Sequence, residues 1–592
     1  MSINHVKANA MFVARSVATK NKYIQTMNSI PLQRNLLETA SRTYDMAVVG
    51  GGIFGACTAW EAASRGLSVV LLEQGDFSHA TSANHFKMVH GGIRYLQHGD
   101  LPRIYKSSRE RSAMLRTCPH LVQPLPIVIP TYGHGAKGKL FLGLGMYIYD
   151  LLTCHRNKGL QKNRKIPWSS FLSKKTLNQH FPNLDDGKLT GGAVFSDGQM
   201  YNAPRLALAF IRSAACKGAR VANYAEVTDF LLEGRRVTGV RIQDKMTGDS
   251  HAIHARIVLN TAGPWAHRLL AEKLQVNLVP RPTFSRDLAF VVKRRFKSPY
   301  GLALLSGSKD ADSMLDRGGR HLFLVPWRDY TLVGVWHKIF SNRPETIRVS
   351  RDELQEYVTE VNQAFPALKL SVDEISTVNM GLTLFGEEDA QQSGKLSFGK
   401  RSRIVDHEKE HDVAGLFTSI GVRATMARGV AEKVVGVVSN RLGKVLLPSR
   451  TDTMPVFGGD IEDVEGLEEQ AITEFKNFLP RQSIISLVRN HGSRYRDVLE
   501  GMTDIEGQLY TLPGSTVTKA EVLYSIREEM AMKLTDIVFR RTELGIGSRP
   551  NQAALQGCAA IVAGELNWNQ DRVRQELEEV YEVCNKFKIK EL

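Results

Sequence analysis

The stretch Tyr44–Gln74, YDMAVVGGGIFGACTAWEAASRGLSVVLLEQ, decides how the chain begins to fold. An apolar run at Met46–Val49 enters the turn Gly50-x-Gly52-x-x-Gly55, a segment of helix length follows, and a second apolar run, Leu67–Leu72, ends at Glu73. Strand, glycine turn, helix, strand and terminal acid in this order make the dinucleotide-binding fingerprint of an α/β unit. Gly50 permits the tight turn, Gly52 lets a pyrophosphate approach the backbone, and Gly55, with Ala59 one helical turn on, lets helix and strand pack closely. Ile53 and Phe54 open that helix, whose N–H groups and partial positive charge suit phosphates. Glu73 is placed to accept both ribose hydroxyls. A glycine-rich turn with nothing bound is the plainer alternative; the flanking strands and the acid favour a bound dinucleotide.

Working outward, 592 residues exceed one domain, and 43% hydrophobic residues are ample for large cores. The six cysteines are scattered, with no CxxC and no paired spacing, so neither a disulfide framework nor a metal site is expected and a reducing compartment fits. No uncharged apolar run reaches about 18 residues, the length at which a membrane-spanning helix is considered. The net charge of +16 is uneven: between His134 and Lys175 nine Lys/Arg face one acid, Asp150. Within that window lies LFLGLGMYIYDLL, Leu140–Leu152. Two readings stay open for it, a basic apolar segment lying on an anionic membrane surface and a buried helix followed by a solvated basic loop. No nucleic acid is expected as a partner, because no nucleic-acid-binding signature accompanies the charge.

Residues 1–37 carry Lys7, Arg15, Lys20, Lys22 and Arg34, with no acid before Glu38. A mitochondrial transit peptide, an ordinary disordered leader and an extension upstream of a true start at Met27 share this composition. A flexible leader over 1–43 is the reading taken, with the protein cytoplasmic, peripheral on the inner face of a membrane, and mitochondrial targeting left open.

From Tyr44 strands and helices alternate. Helices are expected at Asp100–Arg116 and Pro204–Lys217, a strand at Arg220–Ala225, a hairpin at Val227–Leu232 and Arg236–Gln243, and a strand at Arg256–Asn260 running into Thr261-Ala262-Gly263. A further strand, Val413–Ser419, opens on Gly421 and a helix to about Asn440. Three strand ends thus run into glycine turns, with room between them for a substrate-facing layer. The Pro/Gly/Thr-rich segment 448–459 reads as a linker. Beyond it, amphipathic helices fill 460–592.

In this order the elements resemble the FAD-dependent glycerol-3-phosphate dehydrogenases, within the wider D-amino-acid oxidase and glycine oxidase superfamily. Thr81-Ser82 with Lys87–Leu96, KMVHGGIRYL, is similar to that family's TS…HGG-x-RYL signature. Asn260–Trp265, NTAGPW, resembles its NATGPW turn, Gly421–Thr425 occupies the place of its GGKLTT, and His491–Arg494 with Arg540–Gly545 resemble its helical tail. The resemblance implies an α/β fold: an FAD-binding Rossmann-type domain over 44–447, with an inserted mixed α+β substrate domain, followed by an all-helical C-terminal domain. It implies FAD on Gly50, Gly52, Ile53, Phe54, Gly55, Glu73, Thr81, Ser82, Lys87, His90, Gly91 and Gly92. Val227 (or a plain core valine), Ala262, Gly263, Gly421, Arg423, Ala424 and Thr425 complete that set. Among these Lys87, Thr81 and Ser82 are expected at the pyrophosphate. Arg94 and Tyr95 would face the substrate, Arg423 would stand by the flavin N1 and C2 carbonyl to stabilise the anionic reduced ring, and His90 is the candidate proton acceptor. A purely structural hydrogen bond for His90 and an ion pair for Arg94 remain the alternatives.

The departures from that family fall near the substrate. Thr383 stands in place of a phosphate-binding arginine, Ser285-Arg286-Asp287 replaces Gly-Ser-His, and Arg423 replaces the lysine of GGK. A desolvated Arg–phosphate pair is worth about 2–5 kcal/mol, so other cations are expected to compensate; Arg286, Arg401 and Arg403 are the candidates. The expected activity is oxidation of sn-glycerol 3-phosphate to dihydroxyacetone phosphate, with quinone as electron acceptor. The alternatives are the same chemistry on another polyol phosphate, hydroxy acid or amino compound, and a flavin-binding sensor or scaffold without turnover. The partners expected are a small anionic substrate, quinone, an anionic membrane surface and a second copy of the chain in a homodimer.

Overall fold

In the computed structural model, which describes residues 30–133, 138–184, 187–278, 282–307, 321–386, 402–500 and 510–586, the fingerprint lies at the centre of a sheet. Five parallel strands run in the spatial order Leu416–Ile420, Ser250–Asn260, Thr43–Val49, Val69–Leu72 and Arg220–Ala222. Their apolar runs are continuous because both faces are covered; all four residues of Val69–Leu72 are buried. In register, Val49 lies opposite Leu72 and Asn260, and Asn260 opposite Thr418. The C-terminal ends of three central strands are therefore level, and the glycine turns meet there. The expected hairpin forms as Ala225–Glu233 and Arg236–Asp244 and joins the sheet along Ser250–Asn260.

The helix Ile53–Ser64 packs with Ala203–Cys216 and Ala427–Leu442 in one core built around Trp60 and Phe210. Its small residues allow close approach: a Cβ on Gly55 would lie 1.9 Å from the Gly50 carbonyl oxygen. A second sheet of nine strands, mostly antiparallel, is assembled from the segments between the glycine turns. Its strands Ile375–Gly386, Thr283–Val292 and Tyr330–Phe340 lie side by side, and its other edge is Met88–Val89, directly ahead of His90.

Beyond residue 460 the described residues are helical, from Val464–Phe475 to Gln570–Lys586. Between these helices lie a short turn, Leu534–Asp536, and a π turn, Ile537–Arg541. Both arginines of that turn reach Asp76 of the fingerprint's outgoing loop; Arg541 does so with two parallel N–H···O bonds of 2.8 and 2.7 Å.

Two expectations need correction. Residues 30–42 are docked rather than flexible, because Leu32 and Leu36 are buried and Arg34 pairs with Asp244 at 2.5 Å; residues 1–29, including Met27, lie outside the described residues. Segment 448–459 forms no regular element, yet it is a packed strap. Ser449 and Thr451 donate to the buried Glu61 carboxylate, and the Val456 and Phe457 N–H groups donate to Thr117 and Ser213.

Candidate active site

A cavity of about 660 Å³ runs from the glycine turns into the face of the second sheet. Its first end is backbone. Gly50 has φ +105° and Gly52 caps the Ile53–Ser64 helix without a side-chain bond. The Ile53 N–H donates to Ser82 Oγ at 2.9 Å. Glu73 lines the cavity and is already fixed by the N–H groups of Gly51 and Gly75, at 2.6 and 2.9 Å. Val227, Ala262, Gly263, Gly421, Ala424 and Thr425 line the same space, with the Phe54 ring lying against Gly421. These elements fit a dinucleotide: a helix N-terminus opening on the cavity with a glycine at its cap, a turn without side chains and a carboxylate held by backbone.

The chemistry-bearing side chains come from the segment after Met88–Val89. His90 lines the cavity; its N–H donates to Thr425 Oγ1, and its Nδ1 lies 3.1 Å from Asp197 Oδ2. The other Asp197 oxygen accepts from the Gly91 N–H at 2.6 Å and from Arg111 at 3.1 Å. Burial alone would raise the Asp197 carboxyl, but the hydrogen bond from His90 and the charges of His90 and Arg111 outweigh it and hold the carboxyl below its ordinary value. Asp197 is therefore a carboxylate at neutral pH, and it orients the imidazole with Nε2 left as the second ring nitrogen.

Arg94, Tyr95 and Arg423 also line the cavity. Tyr95 is buried between two guanidinium groups, Arg103 at 4.7 Å and Arg423 at 5.1 Å from the ring centre. Removal from solvent, and the charge of Arg94 beside it, lower Arg423 to about 10. A desolvated cation repelled by a second cation is a site that favours an anion.

Other expected residues are placed elsewhere. Thr81 and Ser82 line the cavity, but the Thr81 hydroxyl is engaged by the Leu382 backbone. Gly55 packs its helix against the strand, and Gly91 leaves room for Arg111 and Tyr149. Lys87 does not line the cavity: it is buried, with Nζ 2.8 Å from Asn379 Oδ1 and 4.8 Å from the centre of the Trp327 ring. Arg286 does not line the cavity, since it pairs with Glu353 and donates to the Arg348 carbonyl. Along an extended strand successive side chains alternate in direction, and here the neighbouring Asp287 is the one that lines the cavity, 2.7 Å from His337 Nδ1. Arg403 lies on an edge strand of the first sheet, 3.8 Å from Glu410 and outside the cavity lining. Arg401 lies outside the described residues. Asp197, Asn379 and His337 are site residues absent from the sequence reading. For Asp197 one signal existed, an acid set in the apolar strand Leu189–Met200.

Residues 45–402 match the family model described as FAD dependent oxidoreductase, and residues 449–573 match that of the C-terminal domain of alpha-glycerophosphate oxidase. The chain is 28% identical over 564 residues to a glycerol-3-phosphate dehydrogenase of Synechocystis, covering 93% of this chain and 98% of the relative. It is 28% identical over 526 residues to the aerobic glycerol-3-phosphate dehydrogenase of Bacillus subtilis, covering 87% of this chain and 90% of that one. In fold it is similar to the glycerol-3-phosphate dehydrogenase of Bacillus halodurans solved with FAD, with a TM-score of 0.72 at 22% identity over 94% of this chain and 97% of that chain. With the first match spanning more than half its length and the cavity offering the cradle such a cofactor requires, the chain belongs to the FAD dependent oxidoreductase family.

Proposed function

We propose that the chain oxidises the secondary alcohol of sn-glycerol 3-phosphate to the ketone of dihydroxyacetone phosphate and passes the electrons to a quinone. The observation that carries this reading is one cavity into which the glycine turn, the His90–Asp197 pair and the cations Arg94 and Arg423 all open. The names of relatives matched over nearly their full length support the substrate. FAD, when bound, supplies a two-electron acceptor for the hydride of the alcohol carbon. The Gly50–Gly55 turn and its helix hold the pyrophosphate, Glu73 holds the ribose, and the turns at Ala262 and Gly421 hold the ring end. His90 accepts the hydroxyl proton at Nε2, because Asp197 engages Nδ1. Arg94 and Arg423 offset the negative charge of the substrate and of its developing alkoxide.

Thr383 and Asp287 line the cavity where the resemblance calls for an arginine and a histidine, and this favours a second reading: the same oxidation of another polyol phosphate, hydroxy acid or amino compound. Purified holoenzyme with a soluble quinone analogue decides between them. The first reading expects dihydroxyacetone phosphate to form in step with quinone reduction; no product from a flavin-loaded enzyme removes glycerol 3-phosphate as the substrate.

The membrane surface belongs to the same proposal. The helix Lys139–Leu152 turns Leu140, Phe141, Leu144, Tyr147, Ile148 and Leu151 outward, with Leu140 88% exposed and Leu144 61% exposed. These positions fall on one face at helical spacing. Exposed Lys158, Lys162, Lys165, Lys174 and Lys175 lie nearby in sequence, whereas Arg164 is buried against Glu465. An apolar stripe accompanied by cations suits a bilayer of anionic lipids. Among the described residues no helix is long and apolar enough to cross a membrane.

A further inference from the structure

Lys87 and Asn379 lie 292 positions apart and share a buried contact that the proposed chemistry does not use. Lys87 is 3% exposed, and its Nζ reaches Asn379 Oδ1 at 2.8 Å and the His85 carbonyl at 3.3 Å. Asn379 is 8% exposed and sits on the strand Ile375–Gly386, opposite Ala289, where it lines the cavity. As an ammonium Lys87 donates and does not accept, and in that form its contact turns Oδ1 toward it and leaves Nδ2 as the remaining donor. Nδ2 is buried and has no hydrogen-bond partner among the described residues. A buried amide N–H left unpaired costs about 1–3 kcal/mol, and a ligand that reached it from the cavity would remove that cost.

We propose that Asn379 donates a hydrogen bond from Nδ2 to an oxygen acceptor bound in the cavity, and that Lys87 is a positioning residue that locks the amide for it. The acceptor is either a carbonyl of the flavin ring or an oxygen of the substrate. Both share the chemistry of an oxygen lone pair open to an N–H donor. The proposal rests on the reading of the cavity as a flavin and alcohol site, and it adds a donor that no recognised motif contains. It also gives Lys87 a task other than phosphate binding: an ammonium buried over the Trp327 ring acts through the amide it holds.

The test uses holoenzyme with Asn379→Asp, which keeps an oxygen for Lys87 but loses the donor, and Asn379→Leu, which loses it without adding charge. Three quantities are read: the visible spectrum of the substrate-free flavin, its midpoint potential, and the Kd of dihydroxyacetone phosphate. A flavin acceptor is established if both variants shift the spectrum and move the two-electron equilibrium by about tenfold, or about 30 mV, with the Kd unchanged. A substrate acceptor is established if both raise the Kd at least tenfold with spectrum and potential unchanged. Flavin-loaded variants matching the wild type within twofold on all three overturn the proposal. Lys87→Met, of similar length, should move the same quantity in the same direction and add nothing in the double variant. A Lys87→Met holoenzyme identical to the wild type overturns the positioning role even if the Asn379 variants fail to fold. Wild-type bleaching by sn-glycerol 3-phosphate is recorded alongside; its absence removes the substrate assignment while spectrum and potential still judge Asn379.

Discussion

Asp197 determines what His90 can do. With the carboxylate at Nδ1, the imidazole presents Nε2 as an acceptor; an amide in its place would allow the other tautomer. Asp197→Asn and His90→Gln are each expected to keep their flavin and to lose turnover at least a hundredfold, with little further loss when combined; undiminished turnover in either would take the pair out of the reaction. Arg94→Ala should likewise retain flavin and lose at least a hundredfold. Burial, helped by Arg205, Arg489 and Arg164, brings His120 down to about 3. The unfolded chain binds that proton below about 6.5 and the folded chain does not, so stability is lost as pH falls through this window. Between pH 7 and 5 the loss from one such histidine is about 2 kcal/mol, and His120→Gln should flatten the decline in urea midpoint by a matching amount; an unchanged slope would show that His120 is protonated in the fold. His90, Arg94 and Arg423 were legible because local motifs carry them. Asp197 stands 107 positions from His90, a distance that only the fold closes.

At the scale of elements, the C-terminal helices are tied to the cofactor end through one carboxylate. Asp76 accepts from Arg540, Arg541 and Asn223, three positions after Glu73 in sequence. Burial favours its neutral form, yet the charges of Arg541 and Arg540 prevail and keep it well below the ordinary range. Arg541→Ala removes the bidentate arm and should cost about 3 kcal/mol. Because the loop leads from Glu73 to Ser82, both on the cavity lining, bound flavin should also be released at a lower temperature. Release at the wild-type temperature would show that the helical domain does not brace the loop. The helices expected at Asp100–Arg116 and Pro204–Lys217 were legible to within one residue at each end, and in the structure the Asp100 and Asn202 side chains cap their starts. The strap at 448–459 and the docked segment at 30–42 were not. Proline, glycine and serine say that no regular element forms, and nothing about what the backbone packs against.

Over the whole molecule, two sheets built from interleaved segments enclose the cavity, and the outward apolar face of Lys139–Leu152 is not part of its lining. The alternation of strands and helices made the first sheet legible; the second, whose neighbours are set by pairing between distant segments, was legible only as room for a substrate layer. The apolar face of Lys139–Leu152 could not be assigned from sequence, because periodicity gives a stripe but not the side that faces water. Holoenzyme is expected to bind vesicles of phosphatidylglycerol, less so at high salt, and Leu144→Ser with Leu151→Ser should abolish binding while flavin content and turnover of soluble acceptor stay unchanged. Retained binding would remove the membrane from the account, and light scattering that finds a dimer only in the wild type would assign the face to a second copy of the chain.

The proposed function requires that one cavity hold FAD and oxidise glycerol 3-phosphate. An anaerobic visible spectrum of the purified protein, before and after adding sn-glycerol 3-phosphate, tests it most directly. The expected result is an oxidised-flavin band that bleaches on addition and returns when a quinone is admitted. A flavin band that glycerol 3-phosphate leaves unchanged would contradict the substrate, and a colourless protein that takes up no FAD would contradict the cavity itself.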